Sequence, residues 1–143
     1  MIRYSINIKD EGLLFMLDLD DFKNINDTLG HPKGDSVLVD TAEIIQRVFR
    51  KKDYACRLGG DEFMVYAPGI DLETATSKAE QLLKLLDRGY VAPDGAEIRV
   101  GASIGISCFP KDGGDFEKLY SCADSALYEA KKAGKGKYVF YGE

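Results

Sequence analysis

The order of the predicted elements indicates an α+β fold of the ferredoxin-like type, in which helices are packed around one mixed β-sheet. Three observations support this fold: an unbroken apolar run at 13–19, two-residue alternation at 98–108, and amphipathic helical spacing between them. The order is strand, two helices, hairpin, helix, long strand, helix and short strand, and right-handed crossovers join the strands into one sheet. We predict one domain, 1–143.

The first half of the chain is predicted to form a strand, two helices and a hairpin. The run LLFMLDL at 13–19 is apolar on both faces, which is typical of a central strand. A short helix is predicted at 22–29 and a second helix at 37–49. Strands at 54–58 and 63–67 are joined by Gly-Gly-Asp-Glu, whose glycines suit a tight turn.

The second half is predicted to contain two capped helices, a long strand and a short edge strand. Asp71 is a plausible N-cap for the third helix, and Gly89 stands where its C-terminal cap belongs. The alternating stretch at 98–108 has one face that carries mainly small residues. The remaining elements are a helix over about 115–133 and an edge strand at 138–141.

The composition excludes several classes of protein. The chain is 45% hydrophobic and 30% charged, which is typical of a globular domain rather than a disordered one. No apolar run approaches the ~18 residues of a membrane span and no signal-peptide pattern is visible, so we expect a cytoplasmic protein without a membrane segment in this chain. The net charge of -5 disfavours nucleic acid as a partner. Cys56, Cys108 and Cys122 fit no zinc spacing and are predicted to be reduced residues in or near the core.

Carboxylates converge on one end of the predicted sheet. Asp18 ends the first strand, and Asp61 and Glu62 lie in the hairpin that should neighbour it. Like charges repel, and a divalent cation such as Mg²⁺ is a common remedy. The spacing alone leaves a second interpretation open, in which Asp20 and Asp21 cap a helix and the hairpin acids only solvate a turn.

Two other motifs that contain paired aspartates do not fit. A calcium-binding EF-hand loop that starts at Asp18 or Asp20 needs glycine at its sixth position, where Lys23 or Ile25 stands. In phosphatases of the haloacid-dehalogenase type, the second aspartate is normally followed by Gly, Thr or Val, whereas Asp21 follows here.

Four blocks, LDLDDFKNINDTLGHPKGD, RLGGDEF, ASIGIS and ADSALYEAKKAGKGK, resemble the GGDEF family of bacterial diguanylate cyclases. They occur in the order of the family and cover nearly the whole chain from Leu13 onward. The resemblance implies the palm-type mixed sheet of nucleotidyl cyclases. It also implies that two GTP molecules are condensed into cyclic di-GMP with release of two pyrophosphates.

The resemblance also assigns roles at the acidic cluster. A magnesium ion, with manganese as a possible substitute, would be held by Asp18, Asp61 and the Leu19 carbonyl. Glu62 would lie beside the attacking ribose 3′-hydroxyl and assist its deprotonation. Gly59 and Gly60 would let the nucleotide lie against the backbone.

Further residues match the nucleotide contacts of the family. Asn26 and Asp35 match its guanine-reading pair; the alternatives are a polar residue at a helix end and a helix N-cap. Lys131 and Lys135, four apart, would share a helix face and bind phosphate, or simply oppose the helix dipole. The family more often has Arg at the position of Lys135, and a lysine cannot fork onto phosphate as arginine does. Phe22 and Lys23 complete the implied substrate contacts.

Arg50 and Asp53 match the RxxD product-inhibition motif of the family, at its usual distance before Gly59. An arginine fork and a carboxylate can both bind guanine edges, so a site for cyclic di-GMP is implied. The alternative is that Arg50 is a charge in the last turn of a helix and Asp53 a surface residue.

A symmetrical product made from two GTP molecules implies a homodimer with a two-fold axis. Family domains begin with a D-x-L-T-G-L-x-N-R motif well before the first metal aspartate, and MIRYSINIKDEG contains no such motif. We therefore expect a chain that is N-terminally truncated relative to the family. The competing functions are a catalytically weak or inactive module that binds cyclic di-GMP or GTP, and a cyclase that uses ATP.

Overall fold

The computed structural model describes residues 10–142, which form six strands and four helices. The expectation about an N-terminal truncation rests mainly on residues 1–9, which lie outside the described residues. The strands are β1 (Gly12–Asp20), β2 (Tyr54–Gly59), β3 (Glu62–Pro68), β4 (Arg88–Val91), β5 (Glu97–Phe109) and β6 (Tyr138–Phe140). The helices are α1 (Phe22–Leu29), α2 (His31–Val48), α3 (Leu72–Leu86) and α4 (Phe116–Lys132).

The sheet has β1 at its centre, as the apolar run predicted. The strand order is β2-β3-β1-β5-β4, all neighbours are antiparallel, and β6 pairs in parallel with the second half of β5. Phe15 and Leu17 on one face of β1 join a core with apolar residues of α1, α2 and α3. Leu14 and Met16 on the other face contact α4. The predicted α+β fold with one mixed sheet between helices is therefore confirmed.

The second helix begins earlier than predicted. We expected it at residue 37, but α2 begins at His31, directly after Gly30 with a φ of 91°. Pro32 lies in the first turn of α2, where its missing N–H has no helical partner to lose. Asp35 therefore lies inside the helix, and the interpretation of this residue as an N-cap is wrong.

The region after α3 also differs from the prediction. The helix ends at Leu86, and Gly89 lies in a strand instead of capping the helix. This strand, β4, is missing from the prediction; it pairs with residues Glu97–Val100 of β5. Its four residues alternate between half-buried and exposed, which is too short a pattern to stand out in the sequence.

The other elements agree with the prediction. Asp71 and Asp115 both cap helices, because their side chains accept hydrogen bonds from the backbone N–H three residues later. Cys122 is buried and Cys56 and Cys108 are half-buried, all as free thiols. No helix within the described residues has the length and apolar character needed to cross a membrane.

The small residues on one face of β5 let α4 approach the sheet closely. A Cβ atom on Gly105 would overlap the Ala123 carbonyl oxygen and the Leu127 backbone nitrogen of α4. Ser107, also fully buried, donates a hydrogen bond to the Leu119 carbonyl of the same helix at 2.8 Å. The position of α4 therefore depends on these side chains being small.

We predict that Gly105→Ala destabilises the protein by about 2 kcal/mol, because the added methyl group meets helix backbone that cannot move aside alone. Urea unfolding followed by circular dichroism measures the change. Gly114→Ala is the matched control, since a Cβ there has no neighbour within 4 Å, and its free energy of unfolding should stay nearly unchanged. Equal unfolding midpoints for the two variants would contradict the close approach of α4.

Candidate active site at the end of the sheet

A row of polar side chains crosses three strands on the face that α4 covers. In the strand register, Asp18 of β1 lies opposite Glu62 of β3 and Ser103 of β5. Directly opposed residues on antiparallel strands place their side chains on the same face, close to one another. Asp61 lies in the turn before Glu62, and its carbonyl accepts a hydrogen bond from the Leu19 N–H at 3.2 Å. The predicted convergence of acids on the end of β1 is therefore present in the structure.

Asp18 has an incompletely satisfied carboxylate. Its Oδ2 lies 3.0 Å from Nζ of Lys131, while its Oδ1 is buried without a hydrogen-bond partner. The pKa of Asp18 is raised to about 6, because burial and the nearby Asp61 raise it more than the neighbouring Lys131 lowers it. A cation close to this oxygen would satisfy it and would lower the pKa of the carboxyl group.

The donor set fits magnesium. Within residues 10–142 no group of three or more His, Cys, Asp or Glu side chains could hold a metal ion. Mg²⁺ does not need such a group, because it is commonly bound by one or two carboxylates, with water and substrate phosphates completing its shell. Asp18 and Asp61 would supply the carboxylates.

Glu62 lies in a negatively charged environment. Burial raises its pKa, the carboxylates of Asp124 and Asp61 raise it further, and Lys131 opposes them. Burial raises the pKa of the half-buried Tyr120 on α4, and the nearby Asp124 and Glu62 raise it too, so these side chains lie together. A carboxylate with a raised pKa is a better proton acceptor than an ordinary one.

The two glycines of the hairpin turn have an open space above them. Gly59 and Gly60 have φ angles of 146° and 53°, which other residues rarely adopt. A Cβ atom on either residue would have no neighbour within 4 Å. The turn therefore needs glycine for its backbone and leaves room for a ligand against it.

The predicted base-reading residues lie together where α1 meets α2. A Cβ on Gly34 would overlap Oδ1 of Asn26 and would lie 3.3 Å from the Phe22 ring, so the missing side chain makes room for both. Asp35, the next residue, is exposed. Lys23 is exposed on α1, one residue after the buried Phe22.

The two predicted phosphate-binding lysines do not share a helix face. Lys131 lies in the last turn of α4, but the helix ends at Lys132, and Lys135 lies in the following loop with a φ of 63°. The chain leaves the helix there because Gly134, with a φ of 119°, does not continue the helical backbone. Both ammonium groups still reach the end of β1, since Nζ of Lys135 lies 2.9 Å from Oδ1 of Asp21.

Asp20 and Asp21 do not cap α1. Asp21 occupies the N-cap position, but its side chain makes no capping hydrogen bond and binds Lys135 instead. Asp20, at the end of β1, is 5% exposed and accepts hydrogen bonds from Ser103 and the Gly136 backbone. The sequence reasoning did not assign Asp20 to the site. The signal for including Asp20 is its position two residues after Asp18, which puts both side chains on the same face of the strand.

Arg50 and Asp53 bind each other. The Asp53 carboxylate is fully buried and receives hydrogen bonds from the Arg50 guanidinium, the shortest at 2.7 Å, and from the Arg50 backbone N–H. The same guanidinium donates to the Pro68 carbonyl at 2.6 Å. The alternative interpretation is wrong in both parts, because α2 ends before Arg50 and the Asp53 carboxylate is not on the surface. A cavity that both residues line opens beside the pair.

We predict that stability depends on pH through Asp18. Its folded pKa of about 6 lies above the ordinary 3.8, so its contribution is fully present below about pH 4 and is lost as the pH rises through 6. In metal-free protein, Asp18→Asn should therefore become more stable than the unmodified chain as the pH rises, by on the order of 2 kcal/mol at neutral pH.

Urea unfolding in the presence of a chelator, at about pH 4 and about pH 7.5, measures this difference. Asp40→Asn, at an exposed position of α2, is the control, and its effect should be small at both pH values. A stability difference for Asp18→Asn that does not change with pH would contradict the raised pKa.

Comparison with known proteins identifies the family. The model of the family described as "Diguanylate cyclase, GGDEF domain" matches residues 3–137. Diguanylate cyclase A of Treponema denticola is 40% identical over 138 residues, which are 94% of this chain and 37% of that protein.

Solved structures of related domains are also similar to this chain in sequence and fold. The active GGEEF domain of a diguanylate cyclase from Vibrio cholerae is 30% identical with a TM-score of 0.83, over 94% of this chain and 85% of that one. The GGDEF domain of DgcB from Caulobacter crescentus, in complex with c-di-GMP, is 28% identical with a TM-score of 0.81, over 93% of this chain and 79% of that one.

The chain spans between 16% and 37% of the length of the first curated relatives that it matches. The family match covers nearly all of the chain and agrees with the fold and with the polar row at the sheet end. The chain belongs to the GGDEF family of diguanylate cyclase domains.

Proposed function

We propose that this domain is a Mg²⁺-dependent diguanylate cyclase that condenses two GTP molecules into cyclic di-GMP and two pyrophosphates. The observation that carries the proposal is the unpartnered, buried oxygen of Asp18 beside Asp61, in register with Glu62. A purely structural carboxylate would be expected to have its oxygens satisfied. A divalent cation that arrives with the nucleotide would satisfy this oxygen.

The chemistry is attack by a ribose 3′-oxygen on the α-phosphorus of a second GTP. A new P–O bond forms, the bond to pyrophosphate breaks, and the 3′-hydroxyl proton leaves; a second such step closes the ring. The metal ion held by Asp18 and Asp61, with the Leu19 carbonyl, would neutralise charge on the phosphates. Glu62, whose pKa is raised, accepts the hydroxyl proton.

The other residues bind and orient the nucleotide. Lys131, Lys135 and Lys23 supply positive charge to the phosphates, and Gly59 and Gly60 leave room against the backbone.

The guanine base binds beside Phe22, where Asp35 and Asn26 select it over adenine. Asp35 accepts from guanine N1–H and N2–H, and Asn26 contacts the neighbouring edge. Adenine would leave these groups unpaired, and such sites can discriminate by roughly 10⁴. Each domain holds one GTP, so the two attacks require two domains that face each other.

We predict that the protein at high concentration, with GTP and Mg²⁺, releases pyrophosphate and forms cyclic di-GMP, and that Asp61→Asn lowers the rate by about 10³ or more, because one metal carboxylate is lost. Pyrophosphate release and chromatography of the nucleotides measure the two products. The two should appear in a ratio of two to one.

Asp40→Asn makes the same charge change at an exposed position on α2 and should leave the rate unchanged. The same assay with ATP in place of GTP tests whether the domain is a cyclase that uses ATP. Turnover of ATP at the rate of GTP would favour that hypothesis. If no cyclic product forms from GTP, with Mg²⁺ or Mn²⁺ and under conditions that force dimers, the proposed cyclase activity is contradicted.

A second candidate function is a module that binds cyclic di-GMP without turnover. Its motivation is the Arg50–Asp53 pair, which lies at a cavity apart from the polar row. In the described structure the two side chains satisfy each other, so a ligand must exchange these hydrogen bonds for its own. The retained carboxylates Asp18 and Asp61 disfavour binding as the sole role.

We predict that Arg50→Ala weakens cyclic di-GMP binding by about 30-fold or more, since a charged, forked donor is removed. Isothermal titration calorimetry measures the affinity. Lys84→Ala, which removes an exposed charge of α3 that does not line this cavity, should change it less than about threefold. Asp61→Asn should bind as tightly as the unmodified chain. Equal affinities for Arg50→Ala and Lys84→Ala would exclude this site.

A further inference from the structure

Asp20 has the most completely satisfied carboxylate at the end of β1. Its Oδ1 accepts a hydrogen bond from the Ser103 hydroxyl at 2.7 Å, and Ser103 is itself fully buried. Its Oδ2 accepts one from the backbone N–H of Gly136 at 2.9 Å. Nζ of Lys131 lies 3.6 Å from Oδ1. Both oxygens are therefore occupied by protein groups, whereas Oδ1 of Asp18 has no partner.

This difference separates the two aspartates by role. A metal ligand needs a free lone pair directed at the ion, and Asp18 has a buried oxygen without a partner. Binding an ion through Asp20 would require it to release Ser103 or Gly136, and either group would lose a charge-assisted hydrogen bond. Asp20 is therefore suited to hold other groups in place.

The group that Asp20 holds is the loop that carries Lys135. The loop leaves α4 through three consecutive residues with positive φ, 119° at Gly134, 63° at Lys135 and 62° at Gly136. A lysine rarely adopts this conformation; the Lys135 N–H donates to the Ala130 carbonyl of α4 at 3.1 Å, and contacts with other elements hold the loop beyond it. Asp20 binds the loop at Gly136, and the Lys137 carbonyl accepts from the Ile104 N–H at 2.9 Å.

The ion pair between Lys135 and Asp21 cannot maintain the loop by itself. Both side chains are about half exposed, and ion pairs in such positions contribute little. The buried contact of Asp20 with a backbone N–H is the stronger constraint.

We infer that Asp20 is a positioning residue, which acts through Lys131 and the loop of Lys135 to hold both ammonium groups ready for the phosphates of the nucleotide. The inference rests on the proposed function, since it assumes that these lysines bind a polyphosphate. It assigns to the second aspartate of the LDLDD block a role distinct from metal binding. Ser103 supports the same arrangement from β5 by fixing the orientation of the carboxylate.

The first measurement is independent of nucleotide. Amide hydrogen exchange followed by NMR reports on the Gly136 N–H, which should be protected in the unmodified protein. An asparagine has one acceptor oxygen for two donors, so Asp20→Asn should speed this exchange by about tenfold. Asp40→Asn, at an exposed position of α2, is the matched control and should leave it unchanged.

The second measurement is calorimetric titration with a non-hydrolysable GTP analogue and Mg²⁺. Asp20→Asn should weaken binding by about tenfold. In a chain that already carries Lys131→Ala and Lys135→Ala, the same change should weaken binding less than about twofold, because the groups through which Asp20 acts are gone. A merely structural aspartate would have the same effect in both backgrounds.

The outcomes distinguish this inference from the proposed function. If the unmodified protein binds no analogue, the proposed function fails, and the role of Asp20 fails with it. If the unmodified protein binds and Asp20→Asn binds equally tightly, or loses the same affinity without the lysines, this inference alone is overturned. Should Asp20→Asn fail to fold, Ser103→Ala decides: binding about threefold weaker supports the inference, and unchanged binding overturns it.

Discussion

The convergence of carboxylates at the end of β1 is the constraint on which the rest of the site depends. The strand register puts Asp18 opposite Glu62, and the turn adds Asp61, so negative charge accumulates where burial makes it costly. In the described structure Lys131 of α4 offsets this charge by its contact with Asp18. That contact requires α4 to lie close to the sheet, which the small residue Gly105 of β5 permits. Packing on one face of the sheet and charge at its end are thus linked.

The alternation and helix patterns of the sequence predict most of the fold, because they report burial directly. The central strand, the hairpin and the long strand follow from the periods of apolar residues, and the register then brings Asp18, Asp61 and Glu62 together. The sequence pattern does not mark the start of α2, because proline is common both after the end of one helix and in the first turn of the next, where Pro32 lies. The pattern also does not reveal β4, because four residues that alternate between half-buried and exposed are too few to stand out.

The contacts that the sequence could not predict join residues distant in the chain. Nothing in the spacing indicates that the backbone of Gly136 binds Asp20, or that Lys135 leaves the helix before it reaches Asp21. Arg50 and Asp53 are close in the sequence, yet the burial of Asp53 depends on its packing in the fold. Arg50 also binds the distant Pro68 carbonyl. Contacts of this kind depend on tertiary geometry, which a pattern of residue types does not contain.

Three aspartates within four positions show why residue type alone does not determine a role. Asp18 retains a buried oxygen without a partner, Asp20 has both oxygens occupied by protein donors, and Asp21 is exposed beside the half-exposed ammonium of Lys135. The first environment favours an ion, the second favours a fixed scaffold, and the third contributes little in water. The same carboxylate can bind a metal, hold a loop or remain solvated, and its burial and its number of donors decide which. At this site, the role of each acid is therefore determined by its neighbours across the sheet and on α4.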